Sequence, residues 1–388
     1  MPARDTEVAI IGGGVVGCAV AHALARRGVS SVVLEAEAGL ALAASGTNSG
    51  ILHTGFDSPP GELETMLILR SAELREELAA ELGVEVWRCG ARLTPHGADE
   101  RASVARLEAN ARANGVAVEI ARDGSLAVSG EAVTDPVAFV HALAGAACAT
   151  DAAVELEARV CGLGAAAPGG IAVELEGGGR VIAAAAVNCA GLHADEVAWL
   201  AGESPVAVYP RKGEFIVFAA GDGEPLSEIL LPVPSAAGKG VLVFPTLDGM
   251  IVAGPTARER VDKSDWSVEA DAADLILGRA VAMYASLGLA EPVGAYAGLR
   301  TAGRGANYVI EHSATLAGLV HVAAIRSTGL SASLGIGEHV AGMLAAEARV
   351  ELGAVRPLPA APAKDFGMPW WERATRHRGL ASGPPRQA

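Results

Sequence analysis

The sequence predicts an α/β protein that opens on a Rossmann-like nucleotide-binding unit and continues into a mostly β section. Three observations predict it. Residues 8–35 read as strand, glycine turn, helix, strand and acid. The order strand, small-residue turn, helix returns at 187–201 and again from Leu319 onward. Residues 206–300 carry short apolar β-type runs at Val206–Tyr209, Phe215–Phe218, Val241–Phe244 and Met250–Val252.

In the first unit, Val8-Ala9-Ile10-Ile11 is a fully buried strand by composition. Gly12 to Gly17 follows in the spacing G-x-G-x-x-G. The Ala-rich segment Cys18–Arg27 is helical, and Gly28 stops it. Val32-Val33-Leu34 makes the second strand, with Glu35 at its end. Gly12 makes the tight turn, Gly14 lets a pyrophosphate approach the backbone, and Gly17 lets helix and strand pack closely. The helix N-terminus offers unpaired N–H groups and partial positive charge to that pyrophosphate, and Glu35 suits an adenosine ribose. Residues 36–44 hold Glu37 as their one charge, so nothing there grips a 2′-phosphate, which argues against NADP and leaves NAD and FAD open.

With 388 residues, 51% of them hydrophobic, the chain can build two domains or one large divided one. A net charge of −15 and a pI of about 5.1 repel nucleic acid and anionic membrane. Cys18, Cys89, Cys148, Cys161 and Cys189 show no C-x-x-C pairing, which suits a reducing cytoplasm and no metal or cluster site. The opening residues lack signal-peptide character, and the apolar stretch Val8–Ala25 is interrupted by glycines and His22; a cytoplasmic protein without a transmembrane helix is expected.

Residues 36–56 form a long polar, glycine-broken loop with Ser45, Thr47, Asn48, Ser49 and Gly50, placed to cover a pyrophosphate or a ring edge. It leads to His53, a histidine among apolar residues that suits a core as readily as catalysis. Residues 62–82 are an amphipathic helix, Glu85–Leu93 a strand, Ala98–Asn114 a helix, 117–120 a strand and 135–149 a helix. Val154–Val160 and Ile171–Leu175 are strands, with a Gly177-Gly178-Gly179 hairpin turn before Val181–Ala186. Asn188-Cys189-Ala190-Gly191 then turns into a helix at 194–201, its small pair permitting close approach to a cofactor. Arg211-Lys212-Gly213-Glu214 reads as a charged, solvated turn, and residues 270–287 as a helix. Gly298-Leu299-Arg300 follows a strand-like stretch, and Leu319–Ile325 is a strand. Arg326–Ser333 is a small-residue loop before a last helix at 334–348, and the proline-rich tail with Trp370-Trp371 is a loosely structured extension.

Together these points resemble the D-amino-acid-oxidase-like superfamily of FAD enzymes over nearly the whole chain to about residue 350: the glycine turn with Glu35, the Ser45–Phe56 loop, the 188–191 turn, Gly298-Leu299-Arg300 and the Ser327–Ser333 loop. Asn48 to Gly55, the 60–63 stretch Pro-Gly-Glu-Leu, Lys212-Gly213-Glu214 and Gly254-Pro255-Thr256 resemble the branch of L-2-hydroxyglutarate oxidases and anaerobic-type glycerol-3-phosphate dehydrogenases. The resemblance implies a discontinuous FAD domain (1–83, 145–205, 318–355) with an inserted, mostly antiparallel substrate domain (84–144, 206–317) and an extension at 356–388. It implies cofactor contacts from Gly12, Gly14, Val15, Val16, Gly17, Glu35 and Ala36, from Ser45, Thr47, Asn48, Ser49 and Gly50, and from Val160, Ala190, Gly191, Thr328, Gly329, Leu330 and Ser331. The implied chemistry is hydride transfer from a substrate C–H to flavin N5. His53 becomes the candidate base, and Arg300, with Lys212 and Ser327, the candidate grip on a small acidic substrate such as an L-2-hydroxy acid.

Phe56 and Asp57 stand where membrane-bound glycerol-3-phosphate dehydrogenases carry an arginine, and an acid opposes a phosphate. No cysteine follows Cys189, so no iron–sulfur extension is expected and electrons pass from FAD to oxygen, a quinone or a partner protein. Two rivals remain from the sequence: an amine or amino-acid oxidase on the same scaffold, and a flavoprotein subunit whose acidic surface and tryptophan-bearing tail dock a partner.

Overall fold

The computed structural model describes residues 4–220, 225–234, 240–347 and 349–380. A parallel sheet is built from β1 (Arg4–Ile11) and β2 (Ser31–Leu34), joined by α1 (Val15–Ala25). Its remaining parallel strands are β3 (Ala152–Glu155), β4 (Arg180–Asn188) and β5 (Leu319–Ala323), in the spatial order β3-β2-β1-β4-β5. Segments far apart in sequence thus complete one sheet, as a divided nucleotide-binding domain requires. The helices Leu63–Leu82, Pro136–Cys148 and Gly329–Ala346 pack against α1 or against one another over it. The helix at 136–148 runs across residue 145, where the sequence places a domain boundary, and Asp135 caps it by accepting from the N–H groups of Val137 and Ala138. The hairpin strands Val160–Ala166 and Gly170–Leu175 turn at Gly177 and Gly178, both at positive φ, into β4 and close a smaller apolar cluster with Ala9, Val32 and Leu34.

Among the described residues the second sheet has nine strands, all paired antiparallel except Ile229–Leu231 with Ala91–Leu93. Its longest pair, Val208–Ala219 with Pro292–Gly303, carries the residues that face the nucleotide half. A three-stranded sheet of Ile51–Leu52, Ala132–Thr134 and Val86–Trp87 links the halves.

The structure corrects several sequence expectations. Glu85–Leu93 is two strands in different sheets, because Gly90 at φ 74° breaks the run. The strand expected at 154–160 breaks at Glu157, which adopts φ 55°. Arg211–Glu214 is the middle of a strand, not a solvated turn: Lys212 and Glu214 are fully buried, neutralised by Asp265 and Arg258. The small-residue loop at 326–333 ends at residue 328, because the last helix starts at Gly329. There, small residues serve close packing; a Cβ on Gly335 would lie 2.4 Å from the Leu67 carbonyl oxygen. The tail forms a helix, Trp370–His377, with both tryptophans buried, so they are not free to dock a partner.

Candidate functional site

The glycine turn has the geometry a pyrophosphate needs. Gly12 sits at φ 110°, and a Cβ there would meet the Cys189 carbonyl oxygen at 2.4 Å; a Cβ on Gly17 would meet the Gly12 carbonyl oxygen at 2.0 Å. Gly14 is different: a Cβ would touch only the Ser45 hydroxyl, so the space in front of it is not filled by the chain. The first turn of α1 carries no acidic residue and no side-chain cap, and its N–H groups lack intrahelical acceptors. Val15 N–H donates to Ser45 Oγ at 2.9 Å, which tethers the covering loop to this turn. Glu35 accepts from the N–H groups of Gly13 (2.6 Å) and Glu37 (2.8 Å), and burial pushes its carboxyl above the usual range.

A cleft runs from this turn. Gly14, Val15, Val16, Ser45, Asn48, Gly191, Gly329 and Leu330 line it, together with Thr301, Ile325 and Arg326. Five segments far apart in sequence therefore meet at one cavity, and the donor set and the open face of Gly14 fit an adenine dinucleotide. The other expected residues are not in its lining. Thr47 Oγ1 bonds the Ala43 carbonyl, and Gly298 passes so close to Thr47 that a Cβ would lie 2.8 Å from its carbonyl oxygen. Ser49 Oγ accepts from Ile51 N–H, and Gly50, at φ 76°, lies under the Thr134 carbonyl. Ala190 N–H donates to Asn188 Oδ1, and Thr328 Oγ1 donates to the buried Glu64. Ala36 follows Glu35, and Val160 begins the strand after Ala158, whose N–H bonds the Glu35 carbonyl.

His53 stands beside the start of the last helix. Its N–H donates to Ser331 Oγ at 2.8 Å, and its carbonyl accepts from Arg75 at 2.8 Å. Its Nδ1 lies 2.7 Å from Oε2 of Glu131. The Glu131 side chain has no exposure while that of His53 keeps 22%, so the carboxylate is behind the ring and the imidazole is open in front. The other carboxylate oxygen, Oε1, accepts from Thr54 N–H (2.7 Å) and Thr54 Oγ1 (2.9 Å). Arg75, buried below, also donates to the Leu52 carbonyl; burial pulls it down to about 10, opposed by the Glu131 charge.

Arg300 donates to the carbonyls of Arg211, Lys212 and Thr256 at 2.8–3.1 Å, and burial followed by the Arg211 charge lowers it to about 10. Arg211 lies directly across the strand pair from Arg300, so the two guanidinium groups share a face, and Arg211 Nε is buried without a partner. Neither forms an ion pair among the described residues. The structure does not place Lys212 with them. It pairs with Leu299 on the opposite face, and its ammonium is bound by Asp265 (2.9 Å) and Ser267 (3.2 Å), which leaves it committed to structure rather than to substrate. Ser327 is exposed in the turn before the last helix. Sequence reasoning missed Glu131, Arg75 and Arg211; none sits in a motif, and only the fold brings them to His53 and Arg300. Among the described residues no cluster suits a metal ion, and no helix is long and apolar enough to cross a membrane.

Known proteins are similar to this chain. A glycerol 3-phosphate dehydrogenase of Caloramator mitchellensis is 27% identical over 87% of this chain and 73% of its own length. A mitochondrial L-2-hydroxyglutarate dehydrogenase of Bos taurus is 29% identical over 70% of this chain and 66% of its own length. Among solved structures, the dithionite-reduced L-α-glycerophosphate oxidase of Mycoplasma pneumoniae with FAD bound superposes with a TM-score of 0.82 at 24% identity, covering 92% of this chain and 97% of that one, and so shares the fold. The family model of FAD dependent oxidoreductases matches residues 7–343, and with the cradle and cleft already described, this chain belongs to that family and is an FAD-dependent oxidoreductase.

Proposed function

We propose that the enzyme oxidises the CH–OH group of a small acidic substrate, an L-2-hydroxy acid such as L-2-hydroxyglutarate. The observation that carries this reading is His53: its Nδ1 is engaged by a buried carboxylate, while its Nε2 forms no hydrogen bond among the described residues, beside a cleft that fits the dinucleotide. The chemistry FAD would supply in this cleft is acceptance of the substrate's hydride. As the C–H bond gives up its electron pair, the hydroxyl proton must leave, and His53 Nε2 takes it. Arg300 meets the substrate carboxylate through Nη1, since its Nε and Nη2 are held by the carbonyls of Arg211, Lys212 and Thr256. The free N–H groups of the first turn of α1 would hold the pyrophosphate, with residues 44, 45 and 48 lining the same cleft.

A second reading is glycerol 3-phosphate as the substrate. It is favoured by the match to a glycerol 3-phosphate dehydrogenase over 87% of the chain, and by the Arg211–Arg300 pair, which suits a phosphate dianion as well as a dicarboxylate. Anaerobic mixing of the yellow holoenzyme with L-2-hydroxyglutarate, L-lactate, glycerol 3-phosphate and amino acids tests both. Bleaching by the 2-hydroxy acids supports the first reading. Bleaching by glycerol 3-phosphate alone transfers the assignment to the second, and bleaching by amino acids alone removes both.

A further inference from the structure

We propose that Glu131 is a positioning residue: it fixes the tautomer of His53 and so determines which ring nitrogen is free to accept a proton. The inference rests on the reading of His53 as the base. An ionised carboxylate offers only acceptors. With Glu131 Oε2 at 2.7 Å from Nδ1, the neutral ring must carry its hydrogen on Nδ1, which leaves the lone pair on Nε2. The backbone that carries the ring is held on both sides. His53 N–H is bound to Ser331, and the His53 carbonyl is bound to Arg75. The carboxylate is equally fixed, since Oε1 takes both donors of Thr54. Gly130 permits this close approach; a Cβ there would come within 2.8 Å of Thr54 Cγ2.

The arrangement makes Glu131→Gln a sharp probe. A glutamine amide has one acceptor end and one donor end. The Thr54 N–H is part of the backbone and cannot turn aside, so the amide oxygen must face it. The amide nitrogen then faces Nδ1 and donates to it. Nδ1 becomes the acceptor, the proton of the neutral ring moves to Nε2, and the atom needed for catalysis is blocked. A neutral amide replacing a triad carboxylate has the same consequence in serine proteases.

The test is the ¹⁵N spectrum of histidine-labelled holoenzyme at pH 9, with the His53 signals assigned by their absence in His53→Asn. The wild type should show the Nδ1–H tautomer, Glu131→Gln the Nε2–H tautomer, and Glu131→Asp should retain Nδ1–H, all with unchanged flavin absorbance. Anaerobic flavin reduction by L-2-hydroxyglutarate, or by glycerol 3-phosphate if that is the bleaching compound, should slow on the order of 10³-fold in Glu131→Gln. Glu131→Asp should recover most of that loss. An Nε2–H signal in the wild type, or an unchanged tautomer in Glu131→Gln, overturns the inference, and the wild-type spectrum decides it alone if the variant does not fold. A flipped tautomer with an unchanged reduction rate upholds the positioning role and instead removes His53 as the base.

Discussion

In the nucleotide-binding half, Gly12 and Gly17 meet within one turn of chain, and the Gly17 position is fixed by the Gly12 carbonyl oxygen. In the substrate half, Lys212 is neutralised by Asp265, 53 residues away, and where the halves are linked His53 meets Glu131, 78 residues away. The first half writes its chemistry locally, because a phosphate cradle is made of backbone and only needs side chains to be absent. The second half must bring charged side chains together, and that requires the finished sheet. Substitutions in the two halves should therefore fail differently: by loss of cofactor in the first, by loss of rate or affinity with cofactor retained in the second.

The largest expected effect is Gly17→Val. Its Cβ falls at 2.0 Å from backbone oxygen, which cannot move without displacing β1 from α1. Overpacking of that kind exceeds about 3 kcal/mol, so FAD affinity should fall by about 100-fold or more, and the purified protein should be colourless or insoluble. A yellow Gly17→Val protein with normal flavin content would break the comparison. His53→Ala comes next. Turnover should drop on the order of 10²–10⁴-fold while the flavin spectrum stays intact; near-normal turnover would favour amine chemistry, in which no strong base is needed. Arg300→Ala should then raise KM by about 10- to 100-fold, the loss of a charged hydrogen-bonding grip of roughly 1.5–3 kcal/mol, measured by steady-state kinetics on the bleaching substrate.

The same contrast explains what the sequence disclosed. The first unit was legible because its pattern is periodic and its glycines have one use; strand, helix and Glu35 lie where expected. The expected cleft residues Gly14, Ser45, Asn48, Gly191 and Leu330 do line one cavity. The run at 211–214 was misread because three charged residues around a glycine look solvated, and nothing in the chain announces that Asp265 and Arg258 will return to cover Lys212 and Glu214. The stretch from Gly329 to Ser333 was misread as part of a loop because small residues are ambiguous. They mark turns, and they also mark helices packed tightly, as Gly337 is against the Ala19 carbonyl oxygen. Glu131 had no signal at all, since its partner, 78 residues away, follows one strand of the linking sheet while Glu131 precedes another.

Acid should also separate the halves. His22, on α1, is buried, and burial lowers it to about 4. His141, on the helix at 136–148, is lowered to about 4 by the same cause. Both are neutral in the fold and bind protons more readily when unfolded, so the stability tied to them is present above about pH 6.5. It is lost as pH falls from there toward 4. For His22 this amounts to about 3 kcal/mol at pH 4, and His22→Gln should flatten the fall in Tm between pH 6.5 and 4.

The smallest effect expected is at Arg211, and it is the most discriminating within the substrate half. Arg211 and Arg300 face each other across antiparallel strands, and the Arg211 charge contributes to lowering Arg300. Two like charges side by side destabilise the free protein. The same pair favours a ligand that brings two negative charges to it. Arg211→Ala should therefore leave Tm unchanged or slightly raised while weakening binding of a dianion by about tenfold, the loss of one charged contact of roughly 1.4 kcal/mol. A monoanion held by Arg300 alone should lose much less. Comparing KM for L-2-hydroxyglutarate and L-lactate in the wild type and in Arg211→Ala measures this difference. Equal losses for both substrates would mean that Arg211 only supports the position of Arg300, whereas a loss confined to the dianion places the second substrate charge at this strand pair.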